Sequence, residues 1–238
     1  MARDDSEQGR DQAGADGEAG LSRRQVLAAG LTAAGAGLTT TAEASGIASP
    51  NGMVGVAGKG ATAVEFRARF AQTGNVGQDF VGYGYLTAAA GAGDDLLFVP
   101  GASHSDATAL FTAYAVGQLV RRTVDQAVHE LDIEGTLTIY QRPGPGASFT
   151  DPDSFRQGTP VAVFDIGLHD IVTVFAPGRG LPTLNGDMAQ TASAAVAGAS
   201  RFGRVGAEAR LFATGLGTLV DPTTLNSVLE MAGHWTTK

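Results

Sequence analysis

The sequence predicts an all-β fold, a closed antiparallel β-barrel of about eight strands behind a disordered or helical N-terminal signal peptide. From about Val64, apolar and polar residues alternate with the period of two that is typical of a strand with one buried face. Turn-forming combinations of proline, glycine, asparagine and aspartate interrupt this pattern at short intervals. A sheet of that many strands usually closes on itself, because closure removes its exposed edges.

The first 44 residues are predicted to be a cleaved signal peptide, followed by a linker at 45–63 and a single barrel domain at 64–238. Residues 22–27 (SRRQVL) resemble the twin-arginine translocation consensus, with Arg23 and Arg24 as the arginine pair. The apolar stretch at 26–38 is too short for a stable membrane anchor. The small residues Ala42 and Ala44 predict cleavage after Ala44. The alternative is a cytosolic protein with an Arg-Arg pair before an amphipathic helix.

This resemblance implies export by the twin-arginine translocase and processing by a signal peptidase. Proteins that use this route fold in the cytoplasm first. The expected destination is extracellular, periplasmic or at the cell wall, with no stable membrane anchor in the mature chain.

The composition excludes several classes of partner and chemistry. The formal net charge is -8 and the pI is about 4.9, so phosphate backbones and anionic lipid headgroups are repelled and nucleic acid is not an expected partner. The chain contains no cysteine, which removes disulfides, thiolate metal sites and cysteine nucleophiles. Stability must therefore come from packing and hydrogen bonds.

The individual strands follow from the same alternation. At 64–70, apolar residues alternate with Glu65, Arg67 and Arg69, and at 80–87 aromatic residues alternate with Gly82 and Gly84. Residues 119–131 could equally be a helix, and 223–233 is predicted to be a short helix. Further strands are predicted at 96–99, 107–115, 135–141, 161–165, 168–175, 191–196 and 207–214, and turns at 143–146, 151–153, 177–180 and 185–187.

Three segments resemble a known barrel family. Residues 134–140 (EGTLTIY) and 164–174 (FDIGLHDIVTV) resemble the central hairpins of the allene oxide cyclase barrel, and 194–206 (AAVAGASRFGRVG) resembles a segment shared with dirigent proteins. The resemblance implies an eight-stranded barrel with an apolar interior that works without a cofactor, and a homotrimer by analogy. Allene oxide cyclases steer the closure of an unstable oxylipin epoxide, and dirigent proteins steer the coupling of phenoxy radicals. An enzyme of this kind would be an isomerase or cyclase.

The candidate ligand-binding residues are Glu134, Tyr140, Asp165 and His169. Glu134 and Tyr140 share one strand face and could orient a ligand if that face points into the barrel. His169 has carboxylates on both sides along the chain, which could hold its tautomer for general-base chemistry, although a turn around Gly167 explains the same residues. No catalytic residue is assigned.

Other motifs have structural explanations. The four histidines lack metal-site spacing, so no metal is predicted. The run Ser103-His104-Ser105-Asp106 is a polar loop rather than a triad, because triad members come from distant segments. The glycine-rich stretches lack the lysine of a phosphate loop.

The leading hypothesis is an exported barrel that binds a hydrophobic small molecule without a cofactor, with or without guiding the cyclisation or coupling of that molecule. The alternative is a non-catalytic structural or interaction protein of the cell envelope, with a barrel filled by side chains. The size of the interior cavity distinguishes these two. A cofactor-dependent redox enzyme is suggested only by the export route, and no motif supports it.

Overall fold

The computed structural model describes residues 52–72, 74–197 and 201–238. The predicted signal peptide, with Arg23, Arg24, Ala42 and Ala44, lies outside these residues. The strands are β1 Met53–Val54, β2 Thr62–Gln72, β3 Asp79–Ala89, β4 Phe111–Asp125, β5 Val128–Gln141, β6 Thr159–Ala176, β7 Arg179–Ser193, β8 Arg201–Phe202, β9 Glu208–Asp221 and β10 Asn226–Thr237. Eight of them form a closed antiparallel barrel in the order β10-β2-β3-β4-β5-β6-β7-β9, which confirms the predicted fold class.

Short helical segments lie between the strands. They are the helix α1, Asp94–Leu97, and two 3-10 helices, Asp106–Thr108 and Pro152–Arg156. Among the described residues, no helix has the length and apolar character needed to cross a membrane.

The barrel has a closed end, at which β2 begins and β10 finishes. The short parallel pair β1 and β8 packs against this end, and the ring of Phe202 lies 6.2 Å from that of Phe111. Inside the lumen, Trp235 packs against Phe66 and Phe164 at centroid distances of 6.1 and 5.9 Å. Large aromatic side chains therefore fill this part of the interior.

A second apolar layer covers part of the outer surface. The alternation on β3 places Gly82 and Gly84 in the lumen and Tyr83 and Tyr85 outside. Both tyrosines are nevertheless buried, because Phe98, Phe149 and Phe155 of the β3–β4 and β5–β6 connections pack over them. These long connections thus stabilise one flank of the barrel.

Several sequence predictions were wrong at the level of elements. The helix predicted at 223–233 is a turn followed by β10, which pairs with β2 on one side and β9 on the other. The turn predicted at 185–187 lies in the middle of β7, where Gly186 faces the lumen. The ambiguous segment 119–131 is a hairpin between β4 and β5, with Gln126 at a φ of 51° in its turn.

Strand β6 also differs from its prediction. Residues 164–175 form part of one uninterrupted strand, and Gly167 lies in its middle on the outer face rather than at a turn or bend. Toward the C-terminal end of β6, Thr173 and Phe175 on the outer face are exposed, whereas Val172 and Val174 on the lumen face are partly buried. A barrel strand needs cover only on its lumen side, which explains the difference.

Candidate functional site

The end opposite the closed one is open and contains a cavity of about 200 Å³. Its walls are mostly apolar, and a few polar side chains from different strands reach into it. The principal apolar residues are Leu131, Val172, Val174, Leu219, Leu225 and Leu229, and the polar residues are Gln72, Arg122, His129 and Ser227.

Two glycines in register create space for this cavity. Gly180 on β7 pairs with Gly217 on β9, and both line the cavity. A methyl group at Gly180 would lie 2.6 Å from Cγ1 of Val172, and one at Gly217 would lie 3.0 Å from Cδ2 of Leu229. Larger residues at these positions would therefore occupy the space that the glycines leave open.

The polar side chains of the cavity have unused hydrogen-bonding groups. Nη1 of Arg122 donates to the carbonyl of Gly74 at 2.8 Å, but its buried Nε has no partner. Oε1 of Gln72 is also buried without a partner. In the described part of the chain, no carboxylate forms an ion pair with Arg122. Because an unpaired buried polar group is costly, these atoms are sites at which a ligand can gain binding energy.

His129 lies on β5 beside this arginine. Burial lowers the pKa of its imidazole, and the positive charge of Arg122 lowers it further. The ring is therefore mainly neutral at neutral pH, and can accept one hydrogen bond and donate another.

Asp170 faces the lumen below the cavity and is completely buried. On β6 its side chain lies between Val172, which lines the cavity, and Leu168, which lines a smaller apolar cavity of about 40 Å³. Neither carboxylate oxygen has a hydrogen bond of good geometry. Burial raises the pKa of Asp170 to about 7, although the nearby backbone of Thr183 and the charge of His169 act in the opposite direction.

The four residues predicted from the sequence lie on the outer face of the barrel. Glu134 and His169 line one shallow outer groove, whereas Asp165 lies beside it and Tyr140 does not line it. The carboxylate that contacts Nδ1 of His169 is Asp132, at 2.6 Å, rather than either sequence neighbour. Hydrogen bonds from Arg121 and His169 lower the pKa of Asp132. The groove thus contains a paired imidazole, separate from the lumen.

Sequence reasoning missed the lumen residues Gln72, Arg122, His129 and Asp170 as a site. Asp170 did carry a signal, because it stands in phase with Leu168 and Val172 on the apolar face of its strand. Arg122 did not, because a bulge between Leu119 and Arg121 shifts the inside-outside alternation.

The fold and the site together define a small β-barrel that is closed by the pairing of its strands. One end of its lumen is open and has mainly apolar walls. No protein-family model, curated protein or solved structure matches this chain. Within the described residues, no cluster of three or more potential ligand side chains could hold a metal ion.

Proposed function

We propose that this protein is an exported β-barrel that binds a small, mainly apolar molecule with one polar or anionic group in the open end of its lumen. The observation that carries the proposal is the pair of buried, unpaired atoms, Nε of Arg122 and Oε1 of Gln72, in an otherwise apolar cavity. Small-molecule sites typically combine apolar walls with a few convergent polar groups.

The side chains suggest how such a ligand is held. Its apolar part contacts Leu131, Val172 and Leu229, while Arg122 donates to its polar group from within the cavity. A hydrogen bond to a charged group in such surroundings contributes about 1.5–3 kcal/mol. The cavity volume of about 200 Å³ is below the roughly 300–1,000 Å³ typical of drug-sized sites. The ligand is therefore small, or extends out of the mouth.

The resemblance to allene oxide cyclase and dirigent barrels supports the same proposal, because both families hold reactive apolar molecules in a barrel without a cofactor. In this proposal the lumen also steers cyclisation or coupling of its ligand. If such a reaction includes a proton transfer, Asp170 is the lumen group that would exchange the proton, because its pKa is about 7. Its place between the two cavities puts it next to a ligand that penetrates beyond Val172.

A non-catalytic envelope protein with a filled barrel is the second candidate. It is favoured by the packing of Trp235 against Phe66 and Phe164, which leaves only about 40 Å³ in the inner lumen. In that case the open-end cavity would hold water alone.

A titration with the fluorescent probe 1-anilinonaphthalene-8-sulfonate, an aromatic anion, separates these candidates. We expect saturable binding, weakened about tenfold by Arg122→Gln, since loss of one charged hydrogen bond costs about 1.4 kcal/mol or more. Ser227→Phe should also weaken binding by filling the cavity. The control is Arg121→Gln, which removes a neighbouring arginine that points outward to Asp132. Equal binding by all four proteins would contradict the proposal.

A further inference from the structure

Exposed apolar side chains are concentrated at the open end of the barrel. Four connections meet there: residues 74–78 before β3, and the β4–β5, β6–β7 and β9–β10 turns. Each connection, or the strand residues next to it, presents at least one exposed large apolar side chain. These residues, the apolar rim, are Val76, Val124, Val128, Phe175, Leu181 and Val220.

The exposure of this rim is large compared with that of the closed-end connections, although Val116 and Val120 on the outer wall of β4 are also exposed, at 50% and 43%. Val76, Val124, Phe175 and Val220 have 58%, 51%, 56% and 64% of their surface exposed. Among the described residues of the closed-end connections, Val205 is the single large apolar side chain that is comparably exposed. Single exposed apolar residues are ordinary on protein surfaces, but their recurrence in all four connections around one opening indicates an interaction surface.

We infer that the apolar rim docks on the surface of a lipid membrane, with the mouth of the barrel facing the lipid. Side chains on four separate tips can enter the boundary between headgroups and acyl chains together, as those of interfacial proteins do. The mouth lies among these tips, so an apolar molecule passes from lipid into the cavity without crossing water. This last step rests on the proposed function, whereas docking does not.

The charges near the rim determine which lipids it suits. They have both signs with a small negative excess: Arg121, Arg122 and Arg179 against Asp79, Asp125, Glu130, Asp132 and Asp221. The whole chain has a formal net charge of -8, which opposes attraction to anionic headgroups. Docking therefore depends on insertion of apolar side chains into zwitterionic lipid. It is a peripheral attachment that adds no membrane-spanning element.

Tryptophan placed on the rim tests this inference directly. We compare Phe175→Trp with Phe212→Trp, a control on the outer face of β9 that is also exposed but lies away from the rim. Both variants are made in the full chain, so any lipid binding by its N-terminal segment is common to both, as is the emission of Trp235 in the lumen. The probe is a phosphatidylcholine vesicle, with and without brominated acyl chains.

We expect the emission of Phe175→Trp to shift to shorter wavelength with vesicles and to be quenched by brominated lipid, while Phe212→Trp changes little. Absence of this shift, or equal quenching at both positions, would overturn the inference. So would a requirement for anionic lipid, or a concentration-dependent shift without vesicles, which would assign the rim to a second copy of the chain.

A second measurement guards against variants that merely unfold. In vesicle co-sedimentation at fixed salt, Phe175→Ser with Val220→Ser should lose most of the bound fraction, and Val205→Ser with Phe212→Ser should not. Ser227→Phe fills the cavity and should still dock. If Arg122→Gln leaves probe binding unchanged while the rim still docks, the proposed function fails and the docking inference stands.

Discussion

At the scale of single residues, Asp170 combines an interior position with an ionisable side chain. Its neighbours across the sheet are Leu131 on β5 and Leu184 on β7, both buried. In such surroundings the loss of hydration outweighs the weak interactions of the carboxylate with Thr183 and His169, so the ionised form destabilises the folded state and taking up a proton relieves the penalty. This is the physical meaning of its pKa of about 7.

The raised pKa makes folding stability depend on pH with a definite sign. Between pH about 4 and about 7 the unfolded chain has released this proton while the folded chain retains it, so the contribution of Asp170 to stability is most favourable at low pH and is lost as pH rises. The loss is about 1.4 kcal/mol per pH unit, or about 4 kcal/mol in total. Asp170→Asn should remove this contribution and raise stability above pH 7. Urea unfolding at pH 5 and pH 8 measures the difference.

The contributions of the other titrating groups to the free energy of unfolding cancel when wild type and Asp170→Asn are compared at the same pH. Asp165→Asn, on the exposed outer face of the same strand, is the matched control and should leave the pH dependence as it is in wild type. If Asp170→Asn retains the full wild-type slope, Asp170 is not the group responsible.

At the scale of elements, glycines on opposite faces of the barrel serve different purposes. Gly135 on β5 pairs with Gly117 on β4. A methyl group at Gly135 would collide with the carbonyl of Val116 and lie 2.6 Å from Cα of Gly117. Gly167 on β6 has open space where its side chain would be. Gly135 therefore permits the backbones of β4 and β5 to approach closely, whereas Gly167 serves no such purpose.

This contrast gives a paired test. We expect Gly135→Ala to destabilise the protein by about 1–3 kcal/mol, because backbone atoms must shift to accept the methyl group. Gly167→Ala should be neutral or stabilise by up to about 1 kcal/mol, because alanine reduces the freedom of the unfolded chain. Urea unfolding midpoints of the two variants give the comparison. A loss of similar size in both would show that space at the Cβ position does not control these sites.

The same elements show how far the sequence could be interpreted. The alternation at 64–70 identified β2 because charged and apolar residues are cleanly separated there. In β10, Gly233 stands between Met231 and Trp235 on the lumen face and hides the alternation, so a helix was predicted instead. In β7, Asn185-Gly186-Asp187 has the composition of a turn, and only its pairing with β6 and β9 shows that it is a strand.

The site was harder to predict than the fold for a related reason. Periodicity separates the two faces of a strand, but it does not say which face is the lumen when both contain polar residues. Glu134 and Tyr140 belong to the outer face because Leu137 and Ile139 fill the inner one. The open end depends on the pairing of all eight strands, which no single segment encodes.

At the scale of the whole molecule, the topology makes folding depend on the complete chain. The last strand, β10, closes the barrel by pairing with the first long strand, β2, with Trp235 opposite Val64. Contacts between such distant segments form slowly, and the closed barrel cannot exist before the C-terminus has been synthesised.

The predicted twin-arginine signal can be tested by measuring export. We expect replacement of both Arg23 and Arg24 by lysine to retain the protein in the cytoplasm of a bacterium that has the translocase, because an ammonium group cannot reproduce the planar donor geometry of a guanidinium. Arg10→Lys, in the same N-terminal segment but outside the motif, is the control and should be exported normally. Cell fractionation with immunodetection measures both. Retained protein should still fold, since the substitutions lie outside the barrel, and resistance to protease would show this. Export of the double variant at the level of the control would contradict the assignment.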